Sequence, residues 1–185
     1  MTLRLFPLSC LRPQAARHLL LALALALAGG GALADEYAEV QRLQRAGQTS
    51  EALARADKYI ANNPRDPQMR FVKANVLTAV GKADDAEALL LQLTRDYPEL
   101  PEPWNNLAVL HANHGQLDKA EEALQTALRI NPAYVTALEN LGDVRVRQAT
   151  EAYQRARQLD PSNARLAPKL DALRGALGAA PKPGG

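Results

Sequence analysis

With 185 residues, the chain can form one domain with a sizeable core, and a second domain of similar size is not expected. Apolar residues make up 47% of it and aromatic residues only 4%, so the interior must consist mainly of Ala, Leu and Val, a mixture that favours closely packed helices. The formal net charge is only +2 with both signs interspersed, which argues against nucleic-acid or anionic-membrane binding, since both need a concentrated positive field.

Residues 1–34 are predicted to be a cleaved export signal. Arginines precede the apolar run 19–28, which has the length of a signal core and is too short to span a bilayer. The small residues Ala32 and Ala34 suit a signal peptidase, so we expect cleavage after Ala34 and a periplasmic or secreted protein. Cleavage would also remove Cys10, the only cysteine, and leave a nearly neutral chain without a disulfide or thiolate.

The rest of the chain is organised by internal repetition. Three residue types recur every 34 residues in one fixed phase: Gly47, Gly81 and Gly115; Ala52, Ala86 and Ala120; Pro64, Pro98 and Pro132. Gly suits the left-handed end of a first helix, Ala allows two helices to approach closely, and Pro stops the second helix. Each period is therefore predicted to be a hairpin of two antiparallel helices.

The pattern resembles the tetratricopeptide repeat (TPR), and most clearly in residues 101–134. Trp104, Leu107, Ala120 and Pro132 occupy consensus positions there. The resemblance, to the small exported bacterial type, implies an all-α fold: a TPR-like α-α superhelix (solenoid) of about four helical hairpins plus a C-terminal capping helix. The predicted segments are repeats at about 35–66, 67–100 and 101–134, a shortened repeat at 135–163, a cap helix at 163–177, and a disordered tail at 178–185.

The fourth repeat is shorter than the others, because its two halves stand five residues too close. The turn between its helices is the missing part. The sequence leaves two alternatives: one continuous helix from Val135 to Leu159, which the helical spacing of apolar residues favours, or a very tight turn near Arg147. After Pro161, Ser162 is predicted to cap the last helix.

Candidate catalytic or metal-binding groups are few. His111 and His114 lie on neighbouring faces of one helix without further ligands, so a packing position and a surface residue are expected. The pairs Asp84–Asp85 and Glu121–Glu122 are predicted to lie in the first turn of a second helix, where negative charge complements the helix dipole. No phosphate-binding loop or nucleophile motif is present, so we expect neither an enzyme nor a cofactor.

The resemblance also implies where a partner would bind, since the first helix of each TPR hairpin lines the concave side. Tyr37 and Gln41 would face inward in the first hairpin. The candidate partner-binding residues of the later hairpins are Phe71, Asn75, Asn105, Asn106, Val109, Asn113, Glu139, Asn140 and Asp143. Amides suit an extended peptide, because each one can donate to a carbonyl and accept from an N–H.

Two functions of different classes follow. The first is a periplasmic scaffold that binds another protein or an extended peptide, with a role in assembling envelope complexes. The second is a glycan, cell-wall or small-ligand binding protein, for which Tyr37, Phe71 and Trp104 are the aromatic residues that could stack on sugars. A membrane span is not expected after cleavage, and a homo-oligomer is compatible with either function.

Overall fold

A computed structural model of the chain describes residues 36–178, the side chains of 177 and 178 excepted, and all regular structure in that part is helical. The predicted leader and all but the first residue of the predicted tail lie outside the described residues. The helices are α1 (36–45), α2 (Thr49–Asn62), α3 (Pro67–Ala79), α4 (Ala83–Asp96), α5 (Pro101–Asn113), α6 (Leu117–Ile130), α7 (Val135–Leu159) and α8 (Leu166–Gly178). The all-α fold of helical hairpins predicted from the sequence is thus confirmed.

The described residues divide into two compact units, with the boundary between Pro64 and Arg65. In the first unit, α1 and α2 form a hairpin whose core includes Val40, Leu43 and Ala56. The rings of Tyr37 and Tyr59 meet edge to face, and their hydroxyl groups are 3.2 Å apart. This hairpin is therefore held by an aromatic contact as well as by aliphatic packing.

Glycine ends the first helix of each of the first three hairpins in the same way. Gly47, Gly81 and Gly115 have φ values of 74°, 78° and 72°, the left-handed region that glycine enters without steric cost. At Gly115 the backbone N–H donates to the carbonyl of Ala112, and the next N–H, that of Gln116, donates to the carbonyl of His111. These two bonds form the Schellman motif, which satisfies the last carbonyls of α5 and turns the chain toward α6.

The repeated alanines and prolines also have the predicted places. Ala52, Ala86 and Ala120 are fully buried, as expected where two helices approach closely. Pro64, Pro98 and Pro132 each follow the last residue of a second helix by two positions, where they prevent it from continuing. The period seen in the sequence therefore corresponds to a structural repeat.

The core of the second unit includes a hydrophobic cluster among α5, α6 and α7. This cluster contains mainly small residues and leucines: Ala108, Leu117, Ala120, Ala123, Leu124, Ala127, Ala137, Leu141 and Val144. Trp104, at its consensus position, packs against this cluster. Helices α5 and α7 also contact each other directly, so the first helices of successive hairpins are neighbours.

At the fourth repeat, the structure shows one continuous helix and not a tight turn. Helix α7 runs without a break for 25 residues, and α8 packs against it through the buried Leu166 and Leu170. The predicted Ser162 cap is wrong, because its hydroxyl donates to Asp160 and the helix begins at Leu166 instead. Asn163 turns the chain there, accepting the Arg165 backbone N–H on its side-chain oxygen at 3.3 Å.

None of the described helices is both long and apolar enough to cross a membrane.

Candidate functional site

Four of the predicted amides form a hydrogen-bonded chain, here called the amide ladder: Asn75, Asn106, Asn105 and Asn140. Asn106 donates to the side-chain oxygen of Asn75 at 2.7 Å, Asn105 donates to Asn106 at 3.2 Å, and Asn140 donates to Asn105 at 2.9 Å. The ladder thus joins α3, α5 and α7, the first helices of three successive repeats. It fixes the spacing of these helices through polar contacts that hydrophobic packing alone would not specify.

The members of the ladder differ in accessibility. Asn105 is only 4% exposed, and it both donates and accepts within the ladder. Asn75, Asn106 and Asn140 are half-buried, so part of each amide reaches the surface. We therefore expect Asn105 to orient its neighbours and the other three amides to be available to a ligand.

Three further candidate residues and Asn140 of the ladder meet in one cleft between α5 and α7. Val109 and Asn113 come from α5, Asn140 and Asp143 from α7, and the cleft has a volume of about 80 Å³. Its apolar lining is supplied by Ala108, Ala112, Leu124 and Val144. This space fits a short side chain and is well below the several hundred Å³ of a usual small-molecule pocket.

Arg147 completes the cleft, although the sequence analysis places it only near a possible turn. It lies one helical turn after Asp143, and its guanidinium donates to the carbonyl of Ala112 on α5 at 3.3 Å. The cleft thus presents one carboxylate, one guanidinium and two amide groups around an apolar floor. The i, i+4 spacing of Asp143 and Arg147 on α7 is the signal that could have identified this residue.

The other two candidates lie elsewhere. Phe71 lines a separate cleft of about 270 Å³ between the first turns of α3 and α5, together with Pro103 and Glu102. Glu139 is exposed on α7 and does not line the cleft of Asp143. The nine predicted residues therefore form two groups, the amide ladder and the α5–α7 cleft, and Asn140 belongs to both. Phe71 and Glu139 lie outside these groups.

Two of the three aromatic residues proposed for sugar stacking are engaged within the protein. Tyr37 pairs with Tyr59 in the first unit. Trp104 packs on the core of the second unit, and its indole N–H donates to the carbonyl of Pro98 at 3.4 Å. Phe71 is half-buried in its own cleft. Tyr37 and Trp104 therefore do not form open stacking platforms.

Acidic residues that could suggest acid–base chemistry have structural roles. Asp84 and Asp85 lie in the first turn of α4, as predicted. For Glu121 and Glu122 the prediction is wrong, because α6 begins at Leu117 and places Asp118 in its first turn. Glu121 instead accepts hydrogen bonds from α7. Its bond with Gln148, followed by that with Arg145, holds the pKa of the Glu121 carboxyl below its usual range.

The histidines do not form a site either. His111 is buried, 9% exposed, at the packing position predicted for it, and its Nδ1 is 3.9 Å from a Glu87 carboxylate oxygen. His114 is exposed at the end of α5. Across residues 36–178, no cluster of three or more His, Cys, Asp or Glu side chains could hold a metal ion.

Comparison with known proteins agrees with this architecture. A family model described as "Tetratricopeptide repeat" matches residues 37–101 and again 73–135. The chain is 32% identical over 84 residues to the tetratricopeptide repeat domain-containing protein PYG7, chloroplastic, of Arabidopsis thaliana. That match covers 43% of this chain and only 28% of the relative, so the chain spans a minor part of that protein.

Two solved structures share the fold at low identity. One is TTC0263, a thermophilic TPR protein of Thermus thermophilus, with a TM-score of 0.55, 19% identity, and coverage of 75% of this chain and 79% of that one. The other is the first TPR of Spaghetti (RPAP3) bound to the HSP90 peptide SRMEEVD, with a TM-score of 0.56, 15% identity, and coverage of 62% and 90%. Together with the family match over more than half of its length, the repeat structure shows that the chain belongs to the tetratricopeptide repeat family.

Proposed function

We propose that this protein is a non-catalytic adaptor that binds an extended segment of another protein along α3, α5 and α7. The observation that carries the proposal is the α5–α7 cleft, which joins Val109, Asn113, Asn140 and Asp143 to the neighbouring amide ladder. An extended peptide presents alternating N–H and C=O groups, and amide side chains can pair with both. A short apolar side chain of the peptide would fill the cleft.

The cleft also favours a peptide over a glycan or another small ligand. Its volume of about 80 Å³ is too small for a sugar ring with its hydroxyl groups, and two of the three aromatic candidates for stacking, Tyr37 and Trp104, are engaged within the protein. The TPR structure of Spaghetti, which is similar in fold, is described as bound to a peptide. That complex supports a peptide as the class of ligand proposed here.

The proposal is tested by closing the cleft without unfolding the protein. Val109→Arg places a long side chain at the cleft, and Gln154→Arg places the same side chain at an exposed position of α7 as a control. We expect Val109→Arg to capture at least tenfold less envelope protein than the wild-type chain and Gln154→Arg do, at unchanged helical content. Equal capture by all three chains would contradict a role for the cleft.

The proposed place of action is the periplasm or the cell exterior, in the assembly of envelope complexes. Its basis is the leader-like sequence of residues 1–34. Mass spectrometry of the chain released by osmotic shock should find Asp35 at the N-terminus. Recovery of the chain in the cytoplasmic fraction with residues 1–34 still attached would contradict this location.

A further inference from the structure

The cleft of Phe71 lies directly beside the amide ladder. Phe71 is one helical turn before Asn75 on α3, and Glu102, which lines the same cleft, is one turn before Asn106 on α5. The side chains of Asn75 and Asn106 are hydrogen-bonded to each other at 2.7 Å. The Phe71 cleft and the ladder are therefore adjacent on the face that α3 and α5 form together.

The α5–α7 cleft continues the same face of α5. Four residues follow each other along this face at spacings of four, three and four: Glu102, Asn106, Val109 and Asn113. The first lines the Phe71 cleft, the second belongs to the ladder, and the last two line the α5–α7 cleft. The two clefts and the ladder between them thus form one groove, here called the two-cleft groove.

The clefts at the two ends of the groove differ in size. The Phe71 cleft has a volume of about 270 Å³, and its apolar lining consists of Pro67, Phe71, Leu100 and Pro103. It fits a large apolar side chain, whereas the α5–α7 cleft, with about 80 Å³, fits a short one. A segment that fills both clefts needs one large and one small apolar residue.

The ladder leaves one donor and one acceptor free at its ends. Its bonds all run in the same direction, from Asn140 on α7 to Asn75 on α3. Within the described residues, the Asn75 amide nitrogen donates to no group and the Asn140 side-chain oxygen accepts from none. Neither atom is among the buried atoms that lack a partner there, so both are open to a ligand. An extended backbone that passes between the clefts offers the C=O and N–H groups that pair with them.

The charges around the groove favour a cationic segment. Glu102 lines one cleft and Asp143 the other, and Glu139 is exposed one turn before Asp143. Among the described residues that line the two clefts, the only cation is Arg147, and its guanidinium already donates to the carbonyl of Ala112. A lysine or arginine next to the apolar residues of the segment would therefore meet a negative field.

The offset between the clefts determines the spacing of the two apolar residues. The cleft centres are about eight residues, or about 12 Å, apart along α5 and about one helix spacing of 10 Å apart across it, which gives a distance of about 15 Å. In an extended segment, side chains four residues apart point to the same side and are about 13 Å apart. Spacings of three or five would turn one of the two side chains away from the groove.

We propose that the two-cleft groove binds a single extended cationic segment in which a large apolar residue and a small one are four residues apart. The large residue fills the Phe71 cleft, the small one fills the α5–α7 cleft, and the backbone between them bonds to Asn75 and Asn140. This inference rests on the peptide-binding function proposed above and adds the sequence pattern that the partner segment must have.

Selection from a displayed library of random peptides of about nine residues tests this pattern. The full chain is the bait, and peptides that bind Val109→Arg equally well are removed. We expect the remaining peptides to share a large apolar residue, Ala or Val four residues away from it, and a net positive charge. Remaining peptides without this spacing, or with a net negative charge, would overturn the two-cleft groove and leave the peptide-binding function standing. Enrichment of no peptide would contradict both.

The affinity of one selected peptide, measured by fluorescence anisotropy, tests whether both clefts hold the same segment. Phe71→Ala should weaken binding at least tenfold and should have no effect on the same peptide with its large residue replaced by alanine. Leu91→Ala truncates an apolar residue of α4 that is 40% exposed, and as the matched control it should change neither affinity. If Phe71→Ala weakens the two peptides equally, or weakens neither, the proposal is overturned.

Discussion

Among single residues, Glu121 makes the most testable electrostatic contribution. Its pKa is held low by hydrogen bonds from Gln148 and Arg145, so the native state favours its charged form. The resulting stabilisation is fully present above the unfolded-state pKa of about 4.3 and is lost as the pH falls through the lower folded-state pKa. We expect Glu121→Gln to lower the free energy of unfolding by about 1 kcal/mol at pH 7 and to have no effect near pH 2.

Urea denaturation at the two pH values measures this difference. Glu122→Gln is the matched control, because Glu122 is exposed and its carboxylate makes no hydrogen bond or ion pair with the described residues. Equal destabilisation by Glu121→Gln at both pH values would show that the side-chain shape, and not its charge, links α6 to α7.

The buried amide Asn105 is expected to matter for stability more than its exposed neighbours do. Asn105→Leu removes both of its ladder bonds and leaves the Asn140 amide and the Asn106 oxygen without their partner. We expect a loss of about 1–3 kcal/mol in the free energy of unfolding. Asn113→Ala, at an exposed position on the same helix, should change it by less than about 0.5 kcal/mol. Similar values for both variants would contradict a structural role for the ladder.

The sequence could predict which amide residues are candidates for the binding surface, but not which of their side chains contact each other. Asn105 and Asn106 are adjacent in the chain, and their spacing alone does not reveal that one is buried and orients the other. Similarly, Glu121 looks like a charge at a helix start. Its actual partners lie 24 and 27 residues later, on a helix whose path depends on the shortened turn.

At the level of the elements, the left-handed turns are the features most sensitive to substitution. Gly115→Ala forces a Cβ atom into a backbone with φ of 72° and should cost about 1–2 kcal/mol of stability. Gly175→Ala is the matched control, because Gly175 lies within α8 in open space, where alanine should stabilise the helix by up to about 1 kcal/mol. Thermal unfolding of the two variants should shift in opposite directions, and equal shifts would contradict this account.

Helix positions were predictable wherever glycine and proline mark the ends, because each acts through its own backbone geometry. The first three repeats show this, since the turns at Gly47, Gly81 and Gly115 lie where the period places them. The start of α8 was less predictable. Ser162 and Asn163 can both cap a helix, and the choice depends on the hydrogen bond that the Ser162 hydroxyl donates to Asp160.

At the scale of the whole molecule, the repeat period predicts the fold because a repeat in such proteins packs mainly on adjacent repeats, so the same local rules apply in every copy. The binding surface does not follow from the period in the same way. Val109, Asn113 and Asp143 are partner candidates by resemblance, but the position of Arg147 in their cleft depends on the uninterrupted path of α7.

The central claim is that a protein segment lies along the α5–α7 cleft, and site-specific photocrosslinking in living cells tests it most directly. A photoreactive amino acid is placed at Asn113 beside the cleft or, as a control, at the exposed Glu122 of α6. We predict that Asn113 captures one reproducible protein through a single segment and that Glu122 does not. No adduct at Asn113, or the same adducts at both positions, would contradict the binding of a protein segment in this cleft.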